Sequence, residues 1–194
     1  IANAVGNTPM WEIQYAFRGK EYRLFAKAES YNLTGSIKDR VAYYILKKAY
    51  ESGDIHKEDI IAEATSGNTG ISFSAMGCYL GHRVIIYMPD WMSRERINLM
   101  KSYGAEVRLV SKEEGGFLGS IAMTEELQRQ GGVFLPQQFS NEDNAEAHYI
   151  TTGEEMVRQL AAVGLKADGI VAGVGTGGTV MGIGRRLRRE NPAC

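Results

Sequence analysis

Cysteine is scarce: Cys78 and Cys194 are the only two in 194 residues, too few for a disulfide framework. A reducing, cytoplasmic setting is expected. No apolar run approaches the roughly 20 residues that span a bilayer, so no membrane segment is expected either. The opening IANAVGNTPM lacks the charged and continuously apolar regions of a signal peptide. Charge of one sign is also lacking. With 22 Lys and Arg against 23 Asp and Glu, the net charge of -1 provides no field to draw nucleic acid or an anionic membrane. The one local basic run, Arg185, Arg186, Arg188 and Arg189, reads as the solvated face of a helix. Histidine numbers only three, and no His/Cys/carboxylate spacing suits a metal site.

Glycine is what the sequence has in excess: 23 residues, about 12% against a usual share of about 7%, and they are clustered. The length permits one large or two small domains. No repeat, heptad or low-complexity linker marks a boundary. From Asp59 onward, short apolar strands alternate with helix-length segments. DIIAEA precedes a helix over about 67–80, RVIIYMP one over about 93–103, and AEVRLV one over about 117–130. VFLPQQF and GIVAGVG each precede a further helix, the last over about 180–190. That order predicts a parallel, doubly wound α/β sheet. RVIIYM is apolar without alternation, as expected of a strand covered on both faces. Upstream, TPMWEIQ and YRLFAKAE predict a hairpin connected through Arg18, Gly19 and Lys20. Ile37, Val41, Tyr44, Ile45 and Ala49 then fall at helical spacing behind Ser36, the expected N-cap.

Three loops that enter helices could carry chemistry. Asn32-Leu33-Thr34-Gly35-Ser36-Ile37-Lys38-Asp39-Arg40 places Lys38 in a first helical turn, where unpaired N–H groups and the dipole disfavour an ammonium. A lysine so placed is suited to attack an aldehyde, although alone it also reads as an ordinary solvated lysine. Thr65, Ser66, Gly67, Asn68, Thr69 and Gly70 combine close backbone approach with several polar side chains, which suits a carboxylate. Simple capping of the helix by Thr65 or Ser66 would need fewer of them. Gly173-Val174-Gly175-Thr176-Gly177-Gly178-Thr179 can form a nest for a phosphate dianion. It also fits G-x-G-x-x-G, but no strand ending in Asp or Glu follows, which counts against a dinucleotide. One ligand accounts for all three loops: an aldehyde-bearing phosphate cofactor acting on an amino acid.

The sequence resembles the cysteine synthase group of the tryptophan-synthase-β-like, pyridoxal phosphate (PLP) dependent enzymes over essentially its whole length. The likeness rests on ordered motifs: Val5-Gly6-Asn7-Thr8-Pro9, the Lys38 loop, Thr65 to Thr69, MPDWMSRERINLMKSYGAEV, PQQF, His148-Tyr149-Ile150-Thr151-Thr152-Gly153 and GTGGT. The resemblance implies two doubly wound, mostly parallel open-sheet domains. Residues 35–138 would form a small mobile substrate domain. Residues 1–34 and 139–194 would form the large PLP-binding domain, incomplete in this chain.

By the same resemblance, Lys38 carries the cofactor as a Schiff base and removes the substrate's α-proton. Asn68 would bond the ring hydroxyl, and Gly175, Thr176, Gly177, Gly178 and Thr179 the phosphate. Thr65, Ser66, Gly67, Thr69 and Gln138 would hold the substrate carboxylate. The implied reaction is β-replacement: O-acetyl-L-serine loses acetate to leave an α-aminoacrylate, and sulfide adds to give L-cysteine. PLP supplies the electron sink. A homodimer and a complex with serine acetyltransferase are implied partners. Rival readings are cystathionine β-synthase or dehydratase activity, a noncatalytic PLP-binding homologue and, remotely, a dinucleotide-binding oxidoreductase.

The sequence departs from the family pattern in two ways. Leu33 stands where the family usually has proline, and the family continues with further strands beyond the position of Cys194. Those strands carry the hydroxyl residue beside the pyridine nitrogen, so the chain is expected to represent part of a longer protein. His148 reads as a structural histidine, His56 and His82 as surface, and Cys78 as a buried thiol. Trp91 and Met92 read as packing residues.

Overall fold

The computed structural model describes residues 1–194, which divide into two compact units, Val41–Asp143 with Ile1, and Ala2–Arg40 with Asn144–Cys194. The inner unit begins and ends a few residues later than the 35–138 segment expected from the resemblance, and Lys38 belongs to the unit built from the two ends of the chain.

In the inner unit, β3 (Ile60–Ala64), β4 (Val84–Pro89), β5 (Glu106–Val110) and β6 (Val133–Phe134) form one parallel sheet in the order β5-β4-β3-β6. All six residues of β4 are buried. Because side chains alternate across a strand, Ile85 and Tyr87 share one face, where they pack with Val110 and with Met123 and Leu127 of α4 (Gly116–Arg129). Val84 and Ile86 take the other face, under α2 (Asn68–Tyr79) and α3 (Arg94–Ser102). Glycine permits that approach: a Cβ on Gly77 would lie 2.6 Å from Val84, and one on Gly70 would lie 2.6 Å from Thr65. Val41, Ala42, Ile45, Leu46 and Ala49 of α1 (Lys38–Ser52) are buried as well. The sheet is thus parallel and doubly wound, as the alternating pattern predicts.

The outer unit opens on a hairpin of β1 (Met10–Phe17) and β2 (Lys20–Lys27), paired from Met10↔Lys27 to Phe17↔Lys20. Arg18 and Gly19 both take positive φ (52° and 75°), the geometry that lets a two-residue turn follow strand twist. A continuous helical stretch follows Asp143, with α5 (Asp143–Ala147), a π turn (His148–Gly153) and α6 (Glu154–Ala161). Against it packs α7 (Gly178–Glu190). Small residues let the two approach: a Cβ on Gly182 would lie 2.2 Å from the Ala145 carbonyl, and one on Gly153 would lie 2.7 Å from Arg186 Cβ.

Several local expectations are corrected. GIVAGVG forms no strand: residues 169–175 pair with nothing, and Val171 is fully exposed. An apolar run becomes a strand only beside a ladder partner, and this chain supplies none there. VFLPQQF yields only the two-residue β6, because Pro136 has no N–H for a ladder and Gln137 turns to φ 54°. The helix behind Ser36 begins at Lys38, although the Ser36 hydroxyl does accept the Lys38 N–H at 3.2 Å. His82 is buried, held by the Asp59 carbonyl and the Tyr50 hydroxyl. Cys78 and Met92 are half-buried, and Trp91 is half-exposed with Lys112 over its ring. No helix is long and apolar enough to cross a membrane.

Candidate active site

In the outer unit, the Lys38 loop is tied down on both sides of the lysine. Asn32 accepts the Gly6 N–H through Oδ1 at 2.8 Å and donates through Nδ2 to Glu29. Gly35, at φ 86°, makes the bend. The Asp39 carboxylate then accepts both the N–H and the hydroxyl of Thr34, at 2.7 and 2.6 Å. Two residues past Lys38, the fully buried Arg40 donates to both carboxylate oxygens of Glu29 and of Glu155 at 2.7–2.9 Å, and to Thr8 at 3.1 Å. Lys27 joins the same cluster through Glu155, Gln159 and the Thr8 carbonyl. With its neighbours held this way, Lys38 stands half-buried, and burial lowers its amine below the ordinary 10.5. That is the state a nucleophilic amine needs.

The glycine loop lies in the same unit. Gly173, Gly175 and Gly177 have open space where a Cβ would stand, and Gly177 caps α7 at φ 83° without any side-chain cap. The Thr176 hydroxyl accepts the Gly178 N–H at 3.3 Å and the Asn144 amide at 2.8 Å. A glycine-rich turn opening on first-turn N–H groups is suited to an anion.

Behind Thr179 lies His148, which the sequence marks as a structural histidine. The ring is fully buried, with Nδ1 2.9 Å from the Thr152 hydroxyl and Nε2 3.2 Å from that of Thr179. Burial, with Lys38 and Arg40 adding to it, pulls the imidazole down to about 3, so the ring is neutral at physiological pH. A neutral imidazole offers one donor and one acceptor, which is what two hydroxyls require of it.

The inner unit holds the other predicted residues. Neither Thr65 nor Ser66 caps α2; Gly67 does, with no side-chain bond, leaving the first turn facing the loop. Thr65 is buried and accepts the Gly67 N–H at 3.3 Å, Ser66 and Gly67 are half-buried, and Asn68 is exposed. Thr69 and Gln138, both buried, meet each other: the Thr69 hydroxyl donates to the Gln138 amide oxygen at 2.6 Å. The Gln138 amide nitrogen donates to the Ala64 carbonyl at 3.2 Å. Thus Lys38 and residues 175–179 are brought into one unit, and Thr65, Ser66, Gly67, Asn68, Thr69 and Gln138 into the other. Arg96 of α3 braces this loop by donating to the Ser66 carbonyl at 3.1 Å.

Four polar residues beside these loops were not singled out from sequence: Glu63, Asn144, Thr152 and Arg96. A carboxylate inside the apolar run IIAEA was the one available signal, for Glu63.

The chain is similar to known proteins over its whole length. A model described as pyridoxal-phosphate dependent enzyme matches residues 1–194. The chain is 40% identical to the cysteine synthase of Staphylococcus aureus, over 99% of its length and 61% of that protein. It is 42% identical to cysteine synthase B of Pseudomonas aeruginosa, over 100% and 63% respectively. A crystal structure of a hydrogen sulfide-producing enzyme from Fusobacterium nucleatum matches with a TM-score of 0.97 at 58% identity, covering all of this chain and 58% of that one. A variant of that enzyme has also been solved with an α-aminoacrylate intermediate. The chain therefore spans about three-fifths of the length of these relatives.

Proposed function

The chain belongs to the pyridoxal-phosphate dependent enzyme family, and we propose on that premise that it serves β-replacement, making L-cysteine from O-acetyl-L-serine and sulfide. The observation that carries the reading is one unit's pairing of a desolvated lysine with an open, uncapped glycine-rich helix start. The donor set fits the cofactor: an amine for the aldehyde, and N–H groups with two threonine hydroxyls for the phosphate. Pyridoxal phosphate, when bound, supplies the electron sink that makes the substrate's α-proton acidic.

In this reading the Lys38 amine would hold the cofactor's aldehyde and, at Nζ, would take the substrate's α-proton. Gly175, Thr176, Gly177, Gly178 and Thr179 hold the phosphate. Asn68 bonds the ring hydroxyl. Thr65, Ser66, Gly67, Thr69 and Gln138 orient the amino acid through its carboxylate. The proposal extends to a cytoplasmic homodimer that engages serine acetyltransferase.

Steady-state turnover of O-acetylserine with sulfide, compared with serine and homocysteine, tests the activity. Lys38→Ala is expected to abolish both turnover and the visible absorbance of bound cofactor. Retention of that absorbance would overturn the assignment.

A second reading has its own support. The 58% identity to a hydrogen sulfide-producing enzyme exceeds that to the two cysteine synthases, which favours production of hydrogen sulfide at the same residues. Faster sulfide release from L-cysteine than cysteine formation from O-acetylserine would select it.

A further inference from the structure

Strand β3 reads Ile60-Ile61-Ala62-Glu63-Ala64, and its one ionisable residue points into the interior, 4% exposed. A carboxyl there is costly unless hydrogen bonds compensate it, and an apolar residue of similar volume commonly serves stability as well or better. Glu63 therefore calls for a reason other than packing.

Its two oxygens are used separately. Oε1 accepts the N–H of Ala64 at 3.0 Å, and Oε2 accepts the N–H of Gln138, 75 residues along the chain, at 3.3 Å. Gln138 is thereby fixed to the strand end by its backbone, and its side chain continues outward to Ala64 and to the Thr69 hydroxyl. The preceding residue, Gln137, sits at φ 54°, a conformation that a side-chain-bearing residue keeps only when its surroundings hold it there. The bond from Glu63 to the next N–H is such a hold.

We propose that Glu63 is a positioning residue for the carboxylate loop: it anchors Gln138 to the end of β3 and so sets Gln138 against Thr69. The inference rests on the reading that this loop binds the substrate carboxylate, and it adds a group that touches neither substrate nor cofactor. Burial pushes the Glu63 carboxyl up to about 8 against the pull of the N–H groups of Gln138, Ala64 and Gln137, a perturbation of the kind that gathers at working sites. The isosteric Glu63→Gln keeps one acceptor oxygen but turns an amide N–H₂ toward the other backbone N–H. Gln138 then loses its anchor while the volume of the core is unchanged.

The test uses the PLP-loaded chain, titrated with L-serine and with L-serinamide, which differ only at the carboxylate, while the cofactor absorbance is followed. The wild-type chain is expected to prefer L-serine. Glu63→Gln is expected to reduce that preference about tenfold, equivalent to about 1.4 kcal/mol, without a lower melting temperature. Glu63→Asp, which keeps the carboxyl but shortens the reach, is expected to reduce it as well. Equal binding of the two probes by the wild-type chain would sink the carboxylate-loop reading itself. Loss of the preference in Thr69→Val, with wild-type preference in both Glu63 variants, would leave that reading standing and overturn the role of Glu63.

Discussion

The Nε2 atom of His148 lies 3.2 Å from the hydroxyl of Thr179, so a fully buried ring joins the π turn to the first turn of α7. Thr179, like Thr176 with Asn144, is a residue of the glycine loop held by a side chain from another helix. If His148 sets its orientation, His148→Asn, which cannot span both hydroxyls, should weaken retention of PLP by about tenfold. Equilibrium dialysis of the loaded chain measures this.

The same ring predicts a pH dependence of folding. His148 is lowered from 6.5 to about 3 in the folded chain, so the unfolded chain binds its proton first as pH falls. The stability contribution is complete above 6.5 and is lost as pH falls toward 3. Urea midpoints across that range should fall less steeply in His148→Asn than in the wild type.

Glu63 predicts the opposite slope. Its carboxyl is raised from 4.5 to about 8, so the folded chain holds the proton longer as pH rises. This contribution is complete below 4.5 and is lost as pH rises through about 8. Glu63→Gln should therefore gain stability relative to wild type as pH increases across that interval, read from the same urea midpoints.

Arg40→Lys tests the buried ion cluster. Lysine cannot reproduce the paired contacts to Glu29 and Glu155, and two largely buried carboxylates would be left partly uncompensated. A loss of about 3–5 kcal/mol is expected in urea denaturation. The Glu155 carboxyl, held near 2 by Arg40 and Lys27 despite its burial, should move upward in the variant, as carbon-13 NMR titration would show.

Three neighbouring glycines separate folding from ligand binding. Gly178→Ala places a Cβ 2.1 Å from Asn144 Oδ1 and should destabilise the chain by about 1–3 kcal/mol. Gly177→Ala meets no atom but holds φ 83°, at a strain of about 1–2 kcal/mol. Gly175→Ala meets neither obstacle, so its melting temperature should stay at the wild-type value while PLP affinity falls. An unchanged PLP affinity in that variant would remove Gly175 from the phosphate site.

The alternation of apolar strands with helices was enough to find the parallel sheet, because β3 and β4 are short runs buried almost throughout, and β5, buried only at Val110, pairs along β4. The hairpin was legible through its Arg18-Gly19 turn. GIVAGVG misled because strand identity is settled by a neighbour, and a local window does not include one. At the site, Lys38 and the glycine loops were visible as motifs. His148 was legible only as a structural histidine and Glu63 not at all, since a histidine or carboxylate shows its partners only when the chain is folded: Thr152 and Thr179 for the one, Gln138 for the other.

The Arg40 cluster also sets a timescale. It fastens the 6–8 turn, the end of β2, Glu29 and α6 to a residue two places beyond Lys38. Amide hydrogens of Gly6, Asn7 and Arg40 should then exchange with solvent deuterium only in rare, large openings of the unit, whereas those of residues 169–175 exchange almost as in free chain. The exchange experiment would thus separate the bonded surroundings of the lysine from the unpaired stretch at 169–175.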